Sequence, residues 1–289
     1  MFGVGNIGRI GRADYSAARG ALPLPILDQL GITAASAYSL RRVRLAASLA
    51  CRVRRSPDNA ELNIGFTASG DLDAEALLAF VGAGNGFVTT WHDQSGNGRN
   101  AVQAPPTLQP RIVSNGVIQT QNGRATVAQS DLDQFLPIIG SFTGLTSATG
   151  VFVFRQLTGN GGAHGFRFQS GAVNNHAPWL DGNAYDSFFS SSRQAFNNYG
   201  PASSPSTTTL TTHTVRQTGT ALQLFKNGTQ IDGDKTVSFQ LPDAPSLFSV
   251  GSTGTTAVSE AIVFGTAIST TDRQTLDRNQ GAYYGIAVA

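Results

Sequence analysis

Apolar and polar residues alternate over many short stretches of this 289-residue chain. Such period-two alternation is typical of half-buried β-strands. The alternation, runs of β-branched and aromatic residues, and flanking turns together predict strands at residues 50–55, 61–66, 87–91, 111–113, 117–120, 125–127, 149–155, 165–168, 212–217, 221–226, 229–231, 248–251 and 258–264. Residues 170–209 lack the pattern and are predicted to be irregular. Many short strands separated by turns favour an all-β fold, a two-sheet β-sandwich of the jelly-roll type with a few short helices.

Helices and turns complete the predicted elements. The helices are expected at residues 35–43, at residues 71–81 and after a cap at Ser269 or Thr270. The clearest is 71–81, which has one apolar face and can be capped by Asp71 or Asp73. The pair Asn227-Gly228 predicts a two-residue hairpin turn between strands.

The stretch from residue 89 to residue 101 is the most informative in the chain. It begins as a strand and breaks into Asp-Gln-Ser-Gly-Asn-Gly, residue types that fold back on their own backbone or accept a positive φ. The residues expected to shape this structural loop are Trp91, Asp93, Gln94, Ser95, Gly96 and Gly98. The side chains of His92, Asp93 and Gln94 could form a polar site, or they could brace the loop.

This stretch carries a resemblance to a known family. A strand that ends in Trp91-x-Asp93-Gln94-Ser95-Gly96 and is followed by Gln-Ala-Pro-Pro at 103–106 resembles the catalytic domain of fungal α-L-arabinofuranosidase B. It is also similar to the concanavalin A-like, or laminin G-like, jelly rolls of phage tail and fibre proteins. The resemblance extends over residues 34–289 and implies a concanavalin A-like two-sheet β-sandwich there.

The same resemblance implies where catalytic residues would lie. A retaining glycosidase needs two carboxyl groups, and the family places a Glu nucleophile shortly after a Pro-Trp pair. Pro178-Trp179 is present, but residues 180–186 contain no Glu, and residues 250–256 lack the acid Asp that the family has before its last strands. Asp181 or Asp186 could substitute as nucleophile, without an apparent partner acid. The expectation is therefore no catalytic residues and no enzyme, and the alternative is a diverged glycoside hydrolase of the arabinofuranosidase type.

One segment combines aromatic and polar side chains in the way that sugar-binding surfaces do. The predicted carbohydrate-binding residues are Trp179, Asp181, Asn183, Tyr185, Asp186 and Tyr199. The alternative is that these aromatic residues close one end of the sandwich.

Composition and charge exclude several other functions. The net charge is only +2, so we expect no binding to nucleic acid. No apolar run approaches the length of a bilayer span, and no secretory signal is evident, so we expect synthesis in a cytoplasm and no membrane insertion.

Cys51 is the single cysteine. It is expected to be a small buried core residue, although nearby arginines would lower its pKa if it were exposed.

Cofactor and metal sites are not expected. The four histidines are spread along the chain without ligand spacing, so we predict no metal cluster. The turn Asp232-Gly233-Asp234 could hold calcium or could simply be a solvated turn, and the sequence leaves the choice open.

The N-terminal segment differs from the rest of the chain. Residues 1–33 are assigned to an extended arm, and residues 34–289 to the jelly roll. The arm is rich in Gly and Arg and carries isolated apolar residues at Phe2, Val4, Ile7 and Ile10. Such a segment buries too little surface to fold alone, so it is either a flexible leader or an arm that orders on a partner.

These features together lead to a functional hypothesis. We expect a structural protein of a phage virion, made in the host cytoplasm, acting as a fibre, spike or head decoration. Residues 1–30 would attach it to other virion proteins while the jelly roll recognises a host surface glycan. A homo-oligomer, with a trimer as the guess, is expected. A bacterial lectin is a further alternative.

Overall fold

A computed structural model describes residues 23–158, 209–239, 244–248 and 254–289, together with the backbone of five strands between residues 166 and 196. The helices are α1 (Ile26–Leu30), α2 (Ala74–Val81) and α3 (Thr270–Tyr284), with one 3-10 turn at Pro106–Leu108. The strands are β1 (Ser36–Ser39), β2 (Leu49–Arg55), β3 (Glu61–Gly65), β4 (Gly86–Trp91), β5 (Ala101–Val102), β6 (Arg111–Ser114), β7 (Val117–Ile118), β8 (Thr120–Gln121), β9 (Arg124–Ala125), β10 (Val127–Ala128), β11 (Leu136–Pro137), β12 (Ala148–Gln156), β13 (Phe166–Ser170), β14 (Val173–Ala177), β15 (Trp179–Asp181), β16 (Asn183–Asp186), β17 (Gln194–Phe196), β18 (Thr211–Thr218), β19 (Ala221–Lys226), β20 (Thr229–Gln230), β21 (Lys235–Thr236), β22 (Ala244–Leu247) and β23 (Thr256–Phe264).

The main sheet follows one hydrogen-bonded path in the order β20-β19-β18-β12-β23-β10-β6-β4-β2-β3. Four further strands attach to it, β1 to β23, β21 to β19, β5 to β4 and β7 to β6, and every described pairing is antiparallel. Apolar side chains from both halves of this path, such as Val53 and Trp91 on one and Phe152 and Leu224 on the other, share a single core. The predicted all-β sandwich is therefore confirmed.

The two central strands are buried on both faces. In β12 the side chains of Phe152 and Phe154 enter the main core, while those of Val151 and Val153 enter two smaller clusters on the opposite face. α1 and α3 cover that opposite face, where Ile26 and Leu27 pack with Leu276. This packing ties the described part of the predicted arm, residues 23–33, to the sandwich.

Local signals predicted turns and helix caps well. Asn115-Gly116, Asn122-Gly123 and Asn227-Gly228 all have positive φ at both residues, as two-residue hairpin turns require. The Asp73 side chain accepts a hydrogen bond from the Ala76 amide at the start of α2, and Ser269 accepts one from Asp272 at the start of α3. The helix predicted at 71–81 is confirmed from Ala74 onward, with Asp73 as its cap, and the capped helix after Ser269 is confirmed.

The helix predicted at residues 35–43 is wrong. Residues Ser36–Ser39 form β1, which pairs with β23 so that Tyr38 lies opposite Ala261. The spacing of Leu40 and Val43 suggested a helical face, but local spacing cannot register a strand partner more than 200 residues away.

The prediction of irregular structure throughout residues 170–209 also needs correction. The backbone there includes the short strands β14 to β17. β14 pairs with β13, and β15, β16 and β17 form a separate three-stranded sheet. The segment is rich in Asn and Ser, so its strands lack the alternation of apolar and polar residues from which strands are predicted.

Within the described ranges, the helices are too short or too polar for any of them to span a membrane.

Candidate functional site

The loop after β4 is held by the carboxylate of Asp93. One of its oxygens accepts hydrogen bonds from the backbone amides of Ala37, at 2.8 Å, and Ser95, at 2.9 Å. The other accepts from the Ser95 hydroxyl at 2.7 Å and from the Arg99 amide at 3.0 Å. Because Ala37 belongs to β1, this one side chain both closes the loop and joins it to the strand beside it.

Gln94 continues the same connection. Its side-chain nitrogen donates to the carbonyls of Ser39 and Arg41, at 2.9 and 3.0 Å, and its side-chain oxygen accepts from the Val43 amide at 2.9 Å. Gln94 is buried, so its amide group uses its hydrogen-bonding capacity on backbone atoms. The side chains of Asp93 and Gln94 therefore brace the loop through hydrogen bonds within the protein.

The other predicted loop residues also have structural roles in the loop after β4. Trp91 is fully buried and meets Tyr38 edge to face, with ring centroids 6.5 Å apart. Gly96 and Gly98 have φ values of 91° and 71°, which L side chains rarely adopt. His92 is half-buried, and burial followed by the charge of Arg52 lowers its pKa.

The chain contains three glutamates, Glu61, Glu75 and Glu260, and the most constrained is Glu260. It lies fully buried on β23 beneath α3. Arg41 contacts both of its oxygens, at 2.8 and 3.0 Å, and Gln280 donates to it at 3.0 Å. The hydroxyls of Ser39 and Tyr284 complete its shell, at 2.8 and 3.3 Å.

The charge state of Glu260 follows from this shell. Burial alone would raise its pKa, but the charge of Arg41 and hydrogen bonds from Arg41, Gln280 and Ser39 lower the pKa below the ordinary value. Burial would likewise lower the pKa of Arg41, and Glu260 raises it. The pair is therefore ionised at neutral pH and serves as a structural ion pair.

The other two glutamates are exposed. Glu61 lies on the edge strand β3, where it pairs with Arg52 at 2.6 Å. Glu75 lies in the first turn of α2. Both positions stabilise surface elements, and neither lies in a described cavity.

The predicted carbohydrate-binding residues fall largely where only the backbone is described. Trp179 and Asp181 lie on β15, and Asn183, Tyr185 and Asp186 on β16, while Tyr199 lies outside the described residues. In the register of these strands Trp179 is the partner of Tyr185, and Asp181 is the partner of Asn183. The backbone thus brings five of the six predicted residues onto one hairpin.

The possible calcium turn at Asp232-Gly233-Asp234 and the single cysteine, Cys51, both have structural roles. Asp234 accepts hydrogen bonds from Gln223 and Gln230, and Asp232 pairs with Lys235. Among the residues that the structure describes, His, Cys, Asp and Glu side chains do not gather in groups of three or more that could hold a metal. Cys51 is buried, and burial raises its pKa to about 12, so its thiol stays protonated at neutral pH.

The Arg41–Glu260 pair is not among the residues predicted from the sequence, but one part of it has a sequence signal. Glu260 stands in a strand whose next four residues, 261–264, are all apolar. A carboxylate in such a strand needs a buried cation, because an unpaired buried charge is costly. The sequence does not say which arginine supplies it.

Comparisons with known proteins give the fold a wider context. No protein-family model matches the chain, and no curated protein matches it. Among solved structures it is similar to an arabinofuranosidase complexed with arabinofuranosyl-α-1,2-xylobiose, with a TM-score of 0.63 and 16% identity over 88% of this chain. A GH54 α-L-arabinofuranosidase soaked with a cyclic sulfate inhibitor gives a TM-score of 0.62 and 15% identity, also over 88% of this chain.

The alignment spans 63% of the length of each of these two structures. At this identity the similarity shows the fold and not the activity. The chain therefore has the concanavalin A-like jelly-roll fold, as the motif around Trp91 and Asp93 predicted.

Proposed function

We propose that this protein is a non-catalytic jelly-roll module that binds a glycan and is displayed on a phage particle as a fibre, spike or head-decoration protein. The concanavalin A-like fold supports the binding role, because it is a fold of the carbohydrate-binding type. The motif resemblance to phage fibre domains motivates the placement on a particle. Residues 1–30 would supply the attachment to other virion proteins.

The observation that carries the non-catalytic role is the position of the glutamates. A retaining glycosidase places two carboxyl groups about 5–5.5 Å apart across its substrate. Glu260 is enclosed by Arg41 and Gln280 and has no access to a substrate. Glu61 and Glu75 lie on exposed surface elements. The burial and pairing of Glu260 and the surface positions of Glu61 and Glu75 therefore support a non-catalytic role.

A diverged glycosidase is the second candidate, because the fold is shared with arabinofuranosidases. In that case Asp181 or Asp186 would take the place of the nucleophile. The test is hydrolysis of an aryl α-L-arabinofuranoside and of arabinan by the purified protein. We expect no release above a buffer blank. Turnover that disappears in Asp181→Asn or Asp186→Asn but persists in the exposed control Glu61→Gln would overturn the non-catalytic proposal.

Glycan binding itself is tested on an array of surface polysaccharides. We expect retention on at least one glycan, reduced at least about tenfold in Trp179→Ala and Tyr185→Ala, because stacking on aromatic rings is a usual source of sugar affinity. The exposed Val117→Ala is the control, since Val117 lies on β7, outside this hairpin. Retention that is unchanged in both Trp179→Ala and Tyr185→Ala would place glycan recognition elsewhere, and no retention on any glycan would exclude it.

Attachment through the arm has a separate test. A chain without residues 1–25 is expected to stay folded but to be absent from purified particles that carry the full chain. The same copurification experiment distinguishes a virion protein from a bacterial lectin, because a lectin would not copurify with particles. Light scattering of the full chain tests the expected homo-oligomer, for which a trimer is our proposal.

A further inference from the structure

The path of the main sheet ends at β3, so one side of this strand has no neighbouring strand among the described residues. Glu61, Leu62 and Asn63 are exposed there. An edge strand presents backbone N–H and C=O groups to other chains, and proteins usually protect such an edge with lysine, proline or a bulge. β3 contains neither lysine nor proline, and its register with β2 is regular over residues 61–64. The edge of β3 therefore lacks these protections.

Two hydrogen bonds show which backbone groups of β3 point outward. Across the β2–β3 turn, the Arg55 amide donates to the Ala60 carbonyl at 3.0 Å, so the carbonyl of residue 60 points toward β2. At the other end, the Gly65 carbonyl accepts from the Asp73 amide at 3.1 Å, on the side away from β2. Because the direction alternates along an antiparallel strand, the even-numbered residues of β3 pair with β2 and the odd-numbered ones point outward.

The outward groups are symmetric about Leu62. On either side of it, Glu61 and Asn63 each present an N–H and a C=O group at the edge. A second copy of β3, antiparallel and related by a two-fold axis at Leu62, places Glu61 opposite the partner's Asn63. Such a pair exchanges both of its N–H···O bonds, and the axis generates the same pair again.

The side chains favour the same register. Leu62 is 41% exposed, and in this arrangement it meets the Leu62 of the second copy and is covered. Glu61, which contacts Arg52 at 2.6 Å, lies opposite an asparagine amide that can donate to it. An axis at Glu61 would instead place two carboxylates directly opposite each other, which is destabilising. Backbone groups, apolar surface and charge are thus all complementary about Leu62.

We infer that β3 is a self-association edge, at which two copies of this chain pair antiparallel through residues 61–63 and continue the main sheet from one copy into the other. A second copy fits better than an unrelated peptide, because backbone groups and side chains are complementary under one two-fold axis. The paired surface is small, so the association is weak in dilute solution and strengthens where copies are held close together. It does not depend on the proposed function.

The first test is disulfide trapping of the full chain with Leu62→Cys. Residues in a non-hydrogen-bonded antiparallel pair have Cα atoms about 4.5 Å apart, within the span of a disulfide. We expect a disulfide-linked dimer on mild oxidation. The control is Leu132→Cys, at a leucine that is 39% exposed and lies outside β3, and it should remain unlinked. Both variants carry Cys51→Ala, so that the introduced thiol can pair only with a second copy. Absence of the Leu62→Cys dimer, or equal linking of the control, would contradict the inference.

A further substitution separates strand pairing from chance contact. Asn63→Pro removes an outward N–H that has no partner among the described residues, and edge strands tolerate proline at such a position. Added to Leu62→Cys, it should abolish the linked dimer at an unchanged melting temperature. Linking that persists would exclude pairing through the backbone. If Asn63→Pro lowers the melting temperature, Leu62→Asp takes its place, because it puts two like charges at the axis.

Sedimentation of the wild type and Leu62→Asp measures the association without cross-linking. The two-fold contact doubles the mass of whatever assembly the rest of the chain forms, so failure of the trimer prediction is distinguishable from failure here. We expect the wild-type mass to double with rising concentration, and Leu62→Asp to associate at least about tenfold more weakly. A wild-type mass that stays constant, or an equal rise in Leu62→Asp, would overturn the inference.

Discussion

Arg41 and Glu260 lie 219 residues apart in the sequence and form a two-point ion pair in the protein interior, with N–O distances of 2.8 and 3.0 Å. Arg41 follows β1, Glu260 lies on β23, and Gln280 and Tyr284 of α3 contact the same carboxylate. The pair thus joins the beginning of the described chain to its end. It fixes the position of α3 over the sheet.

Breaking this pair should be strongly destabilising. Removing one partner of a buried ion pair typically costs about 3–5 kcal/mol, because the other charge stays buried and uncompensated. We expect Glu260→Ala to lower the free energy of unfolding by about this amount in a urea titration. The exposed pair Arg52–Glu61 is the matched control, and Glu61→Ala should cost about 1 kcal/mol or less. Similar losses for the two variants would contradict the structural role of Glu260.

Asp93 should contribute to the loop that it closes. Asp93→Ala removes four hydrogen bonds, three of them from backbone amides, and should cost roughly 2 kcal/mol or more. Hydrogen exchange locates the effect, since the amides of Ala37, Ser95 and Arg99 should exchange faster. The exposed Asp133→Ala is the control. Unchanged protection of those three amides would mean that Asp93 does not hold the loop.

The buried indole of Trp91 gives a prediction about the core. Trp91→Ala should lower the free energy of unfolding by about 3–5 kcal/mol, as large-to-small core substitutions do. Its Nε1 atom is buried without a hydrogen-bond partner, so Trp91→Phe, which removes the unsatisfied donor, should cost clearly less. Chemical denaturation of both variants checks this order. Near-wild-type stability of Trp91→Ala would contradict the central position of β4.

Locally encoded elements could be predicted from the sequence, and elements that depend on distant partners could not. Asn227-Gly228 predicts its turn because both residues tolerate positive φ, and Ser269 predicts its cap because the signal lies within four residues. β1 was missed because its conformation depends on pairing with β23. The spacing of apolar residues around Leu40 therefore led to the wrong prediction of a helix.

The same distinction applies to the sites. The loop around Asp93 could be identified because its residues are consecutive and their turn chemistry is local. The cavity between α1, the β1–β2 connection and α3 is lined by residues near 42, 71 and 279, and no pattern along the chain brings them together. The Arg41–Glu260 pair has the same property. Glu260 is conspicuous in its apolar strand, but Arg41 is one of several arginines in its segment.

His213 gives a prediction about pH. It is fully buried on β18, and burial, followed by the charge of Lys226 opposite it on β19, lowers its pKa well below the ordinary value. The unfolded chain therefore binds a proton at a higher pH than the folded chain. Stability should fall as the pH drops below about 6.5, by up to about 1.4 kcal/mol per pH unit.

The measurement is the free energy of unfolding between pH 7.5 and 5 for the wild type and for His213→Gln. The variant should show a smaller slope in this range. Part of the slope should remain, since burial also lowers the pKa of His92. Identical slopes for the two proteins would show that His213 does not contribute.

The last prediction concerns the junction between the arm and the sandwich. Leu24 is 52% exposed, whereas Leu27, three residues later, is 2% exposed and packs in the cluster that includes Ile262 and Leu276. Burying a leucine side chain typically contributes about 1.5–3 kcal/mol, and the cavity left on its removal adds to the loss. Leu27→Ala should therefore destabilise the fold by about 2–5 kcal/mol, while Leu24→Ala should change it by less than about 0.5 kcal/mol.

Deletions extend the same reasoning. Removing residues 1–25 should leave the melting temperature of the isolated protein unchanged, because the cut falls before the buried Ile26 and Leu27. Removing residues 1–33 should lower it sharply, because both buried side chains and the hydrogen bond from the Leu27 amide to the Val43 carbonyl are lost. Thermal unfolding of the two truncated chains measures the difference. If the shorter deletion already unfolds the sandwich, residues 1–25 stabilise the fold and do not serve attachment alone. If the longer one is harmless, α1 is dispensable for stability.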